Sequence, residues 1–206
     1  MVIIKGMEPN KKRGRIKGES KKLILDATAH LIAQKDASQI TVRDICQAAN
    51  VSTGTFYHFF SGKDALMMTF VTSDLLPNEP LTTPLSDPGG RQFELYERLI
   101  SRYMSFGLDF LTSFYTASNP ALKSYMNRKN GKFNPDTIMA YSQQELAQAI
   151  EAGYLCGDPH QMALDLCTIV KGTVFEACLE EDPSGILEQL ERLIRRYLQG
   201  YAPKKT

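Results

Sequence analysis

The stretch "NVSTGTFYHFF", Asn50 to Phe60, spaces its aromatic residues as a helix does but opens on serine, threonine and glycine. These are mediocre or poor helix formers, so their place in the first turn of a short helix needs a physical reason. On a wheel turning about 100° per residue, Phe56, Phe59 and Phe60 gather on one side. Thr53, Gly54, Thr55, Tyr57 and His58 point to the other. Hydroxyls set around a glycine without a side chain let a large body come very close. The DNA major groove fits that description, because threonine can bond base edges or touch a thymine methyl. The free N–H groups and positive dipole end of the same turn favour a phosphate.

Working outward, Thr41 predicts the start of a helix "VRDICQAA" with Val42, Ile45 and Ala49 facing inward. Asp44, three residues on, completes the pattern of a capping box. Asn50 reads as the turn, Ser52 as the cap of the next helix, and Ser61 as the cap of a further one ending near Asp74. An earlier helix is expected from Ser20 to Lys35, with Leu23, Ile24, Ala27 and Leu31 on one face. Two short helices joined by a tight turn behind a supporting helix make a helix-turn-helix unit, here assigned to residues 20–75. Residues 1–19 are basic and punctuated by Gly and Pro, which predicts a disordered arm carrying Lys11, Lys12, Arg13, Arg15 and Lys17.

Charge supports the division. Residues 1–74 hold eleven Lys/Arg against seven Asp/Glu, and the remainder thirteen against sixteen. A basic first third on an acidic remainder points to an anionic partner at one end. With 43% hydrophobic and 23% charged residues the chain can bury a sizeable core. No apolar run reaches the roughly 18 residues that a membrane span requires. "MVIIKG" has no signal-peptide cleavage pattern, and Met7 is a second candidate start. The four cysteines form no CxxC pair, so reduced thiols and a cytoplasmic location are expected.

The break "LLPNEPLTTPLSDPGG" separates this unit from residues 76–206, which resume a helical period. "FELYERLISRYMSFGLDFLTSFYTA", Phe93 to Ala117, is apolar nearly all round and reads as one buried helical run. Later helices are expected with Pro135 in the first turn of one, Asp158-Pro159 opening another and Ser184 capping the last. No useful β alternation occurs, so the expectation is an all-α chain of about nine helices.

"TVRDICQAANVSTGTFYHFFSGKDAL", Thr41 to Leu66, resembles the DNA-binding motif of the tetracycline-repressor (TetR) family of bacterial transcriptional regulators. Thr41, Ile45, Val51, Ser52, Gly54, Thr55, Tyr57, Phe60, Lys63 and Leu66 match that pattern at its spacing. Three positions depart from it: Asn50 replaces a turn glycine, Cys46 an alanine, and Phe59 a phosphate-binding histidine, with His58 one residue earlier. Asparagine is the next best residue at left-handed dihedrals. The resemblance implies that Thr53, Gly54 and Thr55 approach bases, with the cap Ser52 also among the DNA-binding residues. Thr41, Tyr57, His58 and Lys63 would meet phosphates of a palindromic double-stranded operator.

It also implies a homodimer and a small-molecule inducer held among the central helices. Phe106, Phe110 and Phe114, at four-residue steps, with Tyr103 and Tyr141 as hydrogen-bonding groups, are the expected cavity wall. Few cations fall within that stretch, which favours an apolar or neutral ligand. Met162, Ile169 and Val170 on one late helix and Leu190, Ile194 and Tyr197 on the last are the expected dimer surface. Cys156 and His160 offer two metal ligands where three or four are needed, so no metal or other cofactor is expected. An enzyme is the rival class, but the three histidines lie on separate elements without a nucleophile–base arrangement. Control of the same fold by a protein partner is the other alternative.

Overall fold

The computed structural model describes residues 17–72, 80–129 and 131–203, which form an all-α fold. Among them the α-helices are α1 (Lys17–Ile32), α2 (Val42–Ala48), α3 (Thr53–Phe59), α4 (Lys63–Thr72) and α5 (Pro88–Met104). After these come α6 (Leu108–Phe114), α7 (Pro120–Met126), α8 (Ile138–Glu151), α9 (Pro159–Glu180) and α10 (Ile186–Gln199). One 3-10 turn, Ala37–Gln39, links α1 to α2. A hairpin of two-residue strands, β1 (Arg128–Lys129) and β2 (Lys132–Phe133), follows α7. No described helix is long and apolar enough to cross a membrane.

Several boundaries differ from the sequence reading. Helix α1 begins at Lys17, three residues before Ser20, and the expected arm at residues 1–16 lies outside the described residues. The run from Phe93 to Ala117 divides at Gly107, whose φ of 86° and ψ of 154° belong to a region open almost to glycine alone. Its carbonyl then accepts the first hydrogen bond of α6, from Leu111 N–H. Helix α8 is capped by Thr137, whose hydroxyl oxygen accepts from Ala140 N–H, so Pro135 precedes the helix instead of opening it. Helix α10 starts after Gly185 in the left-handed region, one residue past the expected Ser184 cap. Helix α7 and the hairpin are too short for periodicity to single them out.

Two apolar clusters form the interior. The smaller joins Ile24 of α1, Ile45 and Cys46 of α2, Phe56 of α3 and Leu66 of α4. The larger collects the buried faces of α5, α6, α8, α9 and α10. Ile32 and Phe70 pack against both, so the C-terminal ends of α1 and α4 connect them. Burying a side chain such as Phe56 contributes about 1.5–3 kcal/mol.

The expected dimer surface is corrected by this packing. Met162, Leu190 and Ile194 are fully buried within the single chain, and Val170 nearly so. Helix α10 lies along α5 and α9, and α5 takes up the apolar stripe that looked surplus from the sequence. The ion pair between Arg195 Nη1 and Asp87 Oδ1, 2.8 Å apart, ties α10 to the N-terminal end of α5. Ile169 and Tyr197 are half-buried, and the Tyr197 hydroxyl donates to Asp165 Oδ2 at 2.7 Å.

Candidate nucleic-acid interface and central cavity

Helix α3 is fixed from below and capped from in front. Phe56 is fully buried among α1 and α2, with Tyr57 edge-on to its ring at 5.4 Å between centroids. The Ser52 hydroxyl oxygen accepts from Thr55 N–H at 3.0 Å, and the two hydroxyls lie 2.9 Å apart. Thr53, Gly54 and His58 are exposed, and Tyr57 is 57% exposed despite its size. A Cβ added at Gly54 would meet only Ser52 Oγ within 4 Å, at 3.7 Å, so that flank is open for a close approach. Asn50 holds φ at 50°, which allows the turn between α2 and α3. Thr55 is half-buried with its hydroxyl beside the cap, so Thr53 is the freer threonine on this face.

At the start of α2 both halves of the capping box are present. Asp44 N–H donates to Thr41 Oγ1 at 3.2 Å, and Thr41 N–H donates to Asp44 Oδ2 at 2.9 Å. The Thr41 backbone N–H, its hydroxyl and the Lys35 ammonium hold the Asp44 carboxyl down at about 2. Thr41 itself is exposed.

Lys63 departs from its expected phosphate role. Its ammonium donates to the carbonyls of Ala37 and Ser38 at 3.2 and 3.1 Å. Partial burial lowers its pKa, against the opposing pull of Asp64 and Asp36. It therefore anchors α4 to the 3-10 turn that precedes α2.

Behind this unit, a cavity of about 20 Å³ lies among α5, α8, α9 and the chain from Tyr115 to Met126. That is room for about one water. Tyr96, Tyr103, Tyr115 and Tyr125 line it, with Cys167, Lys171 and aliphatic side chains between them. Of the five residues expected at a ligand wall, Tyr103 alone lines this cavity. Phe106 and Phe110 pack at 5.2 Å between centroids, and Phe110 and Phe114 stack at 5.0 Å. Their faces cover one another, so the ridge is core. Tyr141 is half-buried on α8, outside the cavity lining.

The polar groups of the cavity are nearly all phenols. Tyr125 Oη accepts from Ile138 N–H at 3.0 Å and so closes the start of α8. Tyr96 Oη is buried and has no hydrogen-bond partner. The nearby Ser142 hydroxyl instead donates to Gln92 Oε1 at 2.6 Å. Burial pushes the phenols of Tyr96, Tyr103, Tyr115 and Tyr125 upward, so all four stay protonated and can donate. Burial also raises the Cys167 thiol, against the pull of Lys171 and Arg128. The one cation in the cavity lining therefore comes from α9, as Lys171. Nothing in the local sequence marks Tyr125 as a neighbour of Cys167 and Lys171, because folding brings α7 against α9.

Cys156 and His160 have other partners. The Cys156 thiol donates to the Tyr201 carbonyl oxygen at 3.2 Å. His160 Nδ1 lies 3.0 Å from Gln143 Oε1, with the ring over Phe133. Among the described residues no group of three or more His, Cys, Asp or Glu side chains is placed to hold a metal.

Residues 24–68, which include α2, the turn and α3, match the family model for bacterial regulatory proteins of the tetR family. The family-model match is confined to this N-terminal helix-turn-helix segment. Solved structures agree in fold. A TetR transcriptional regulator from Rhodococcus sp. RHA1 superposes with a TM-score of 0.55 at 17% identity, over 89% of this chain and 94% of that one. A putative tetR family transcription regulator from Shewanella sp. PV-4 gives 0.52 at 13% identity, over 92% and 100%. The dihydroxyacetone kinase operon activator DhaS gives 0.51 at 13% identity, over 89% and 98%. No curated protein matches the chain.

Proposed function

We propose that the chain is a homodimeric repressor that binds a palindromic operator and is released from it by a small molecule. The observation that carries the DNA reading is the α3 face: Thr53, Gly54, Tyr57 and His58 stand exposed on a helix whose other side is locked by Phe56. Thr53 and Gly54 meet bases, and Tyr57, His58 and the exposed Thr41 meet phosphates. The basic residues of positions 1–19 add sequence-independent attraction.

A second copy is supported by α9. Phe175 and Leu179, 56% and 65% exposed, lie one turn apart on that helix, with the exposed Gly172 one turn before Phe175. This stripe replaces the buried residues as the interface. Release follows from packing: the cavity is walled partly by Tyr115, at the end of α6, and by Tyr125 and Met126 of α7. Helix α6 packs on the 3-10 turn that Lys63 holds, and α7 packs on α4. A ligand that widens the cavity therefore shifts both supports of the recognition unit and favours a dimer whose α3 helices no longer match successive grooves.

Fluorescence anisotropy on duplexes tiled across the upstream region of its own gene tests the DNA reading. Tyr57→Phe is expected to weaken binding by a similar factor on every duplex, and Thr53→Ala to change which duplex is preferred. Removing residues 1–16 should flatten the salt dependence. Parent-like binding by both point variants would remove α3 as the reading helix. Leu179→Asp should sediment as a folded monomer, and a folded dimer would move the interface elsewhere.

A further inference from the structure

The cavity described above contains one buried donor without an acceptor, and that imbalance identifies what would fill it. Native interiors rarely leave a buried hydroxyl unbonded. Tyr96 Oη is such a group, in a wall where burial keeps three further phenols protonated. No carboxylate lines the cavity. Cys167 lies within electrostatic reach of Tyr96 on one side and of Lys171 and Arg128 on the other, so the phenols and the cations serve one region. The ammonium of Lys171 is exposed and forms no ion pair with a described residue. It also borders two shallow depressions outside the cavity, one shared with Lys123 and the other with Arg128. The second depression includes Asp165 as well, but that carboxylate accepts from Tyr197 and from Gln161. The approach thus has more donors and positive charge than acceptors.

We propose that this cavity takes an organic acid, with an apolar body among the aliphatic side chains of α5, α8 and α9 and a carboxylate served by the phenol donors and Lys171. The assignment rests on the ligand-responsive reading above and names the ligand's chemistry. The free cavity holds about 20 Å³, too little for such a molecule, so binding must open it. Helix α7 contains no fully buried residue, and the strands beside it expose Arg128, Lys129 and Lys132. A segment with so little buried surface opens at low free energy. The same opening would move α7 on α4.

Thermal unfolding of the full-length protein with decanoate, 3-phenylpropanoate, methyl decanoate and decylamine tests the assignment, alongside anisotropy on the operator duplex. The two acids should raise the melting temperature with concentration, as any ligand of the native state does. The ester should do so weakly and the amine not at all. Tyr96→Phe should weaken both decanoate and its ester about tenfold, because each has an acceptor oxygen. Lys171→Met should weaken decanoate alone, by about fivefold at low salt and less at high salt. Both variants alter groups without a bonding partner, so folding should be retained, and circular dichroism verifies it.

Equal binding of ester and acid, tighter binding of the amine, or no binding of either acid would each overturn the proposal. The two readings separate cleanly. If the ester releases DNA as well as the acid does, ligand response survives and the anionic head does not. If the acids bind and DNA stays bound, the ligand class stands and regulation through this cavity falls.

Discussion

From α1 to α4 the side chains that cap α2 and α3 are exposed and bonded within a few residues. Thr41 to Asp44 and Ser52 to Thr55 both act at a separation of three. From α5 to α10 the polar side chains that join the helices are buried or half-buried and reach across the chain. Gln92 meets Ser142 fifty residues on, Arg91 pairs with Glu145, and Arg195 with Asp87. The first region presents its hydroxyls outward for a partner to meet. The second closes its polar groups against one another, except at Tyr96. This contrast explains why one region can act as a rigid reader and the other as the part that changes shape.

Unequal cores give the strongest way to break that picture. Phe56→Ala deletes a ring from the smaller cluster, where few buried side chains remain to support α3. A loss of about 3–5 kcal/mol is expected, with DNA binding abolished. Urea unfolding followed by circular dichroism should then show an early step as α1 to α4 melt, and a later one for the bundle. A single shifted transition would mean that Ile32 and Phe70 weld the two clusters into one cooperative unit.

A smaller effect is expected at Gly107. Its ψ of 154° at φ 86° excludes side chains, and a Cβ there would point toward Asp36, whose Oδ2 would lie 3.8 Å away. Gly107→Ala should therefore cost about 1–3 kcal/mol through backbone strain. Thermal unfolding measures the cost, and parent-like stability would show that the junction between α5 and α6 relaxes without strain.

How much was legible in the sequence follows from the same contrast. The capping box at Thr41, the Ser52 cap and the left-handed turn at Asn50 depend on neighbours three or four residues away, so local rules found them. The inward Phe56 and outward Tyr57 followed from one helical wheel. In the bundle, periodicity identified apolar faces but not what they meet. Leu190 and Ile194 looked surplus because nothing local shows that α5 lies beside α10. The Phe106–Phe110–Phe114 ridge looked like a cavity wall because its rings cover each other only after folding. Phe175 and Leu179 became visible as an exposed stripe only when the other faces of α9 had found partners.

The capping box should yield a more modest loss. Thr41→Ala removes the oxygen that accepts from Asp44 N–H, and about 1 kcal/mol is typical for such a cap. It should also change the acid limb. Asp44 is depressed from 3.8 to about 2 in the folded chain, so its contribution is present above pH 3.8. That contribution is lost as the pH falls through about 2. In Thr41→Ala, part of the depression disappears, and the gap in stability between parent and variant should narrow across that window. A gap that stays constant down to pH 2 would show that Asp44 and Thr41 are not coupled.

The smallest expected change sharpens the comparison most, because it also removes a hydroxyl. Thr41 and Tyr96 each carry one, in the first region and the second respectively. The Thr41 hydroxyl accepts a hydrogen bond at a helix start, whereas Tyr96 Oη is buried and unbonded. An unsatisfied buried group costs desolvation of about 1–3 kcal/mol with nothing to offset it. Tyr96→Phe keeps the ring and its packing while deleting that group. The variant should therefore be as stable as the parent or more stable by up to about 1 kcal/mol, the reverse of Thr41→Ala. Urea midpoints at pH 7 decide it. A loss comparable with that of Thr41→Ala would mean that Tyr96 does bond in solution, to Ser142 or to the single water that the cavity can hold.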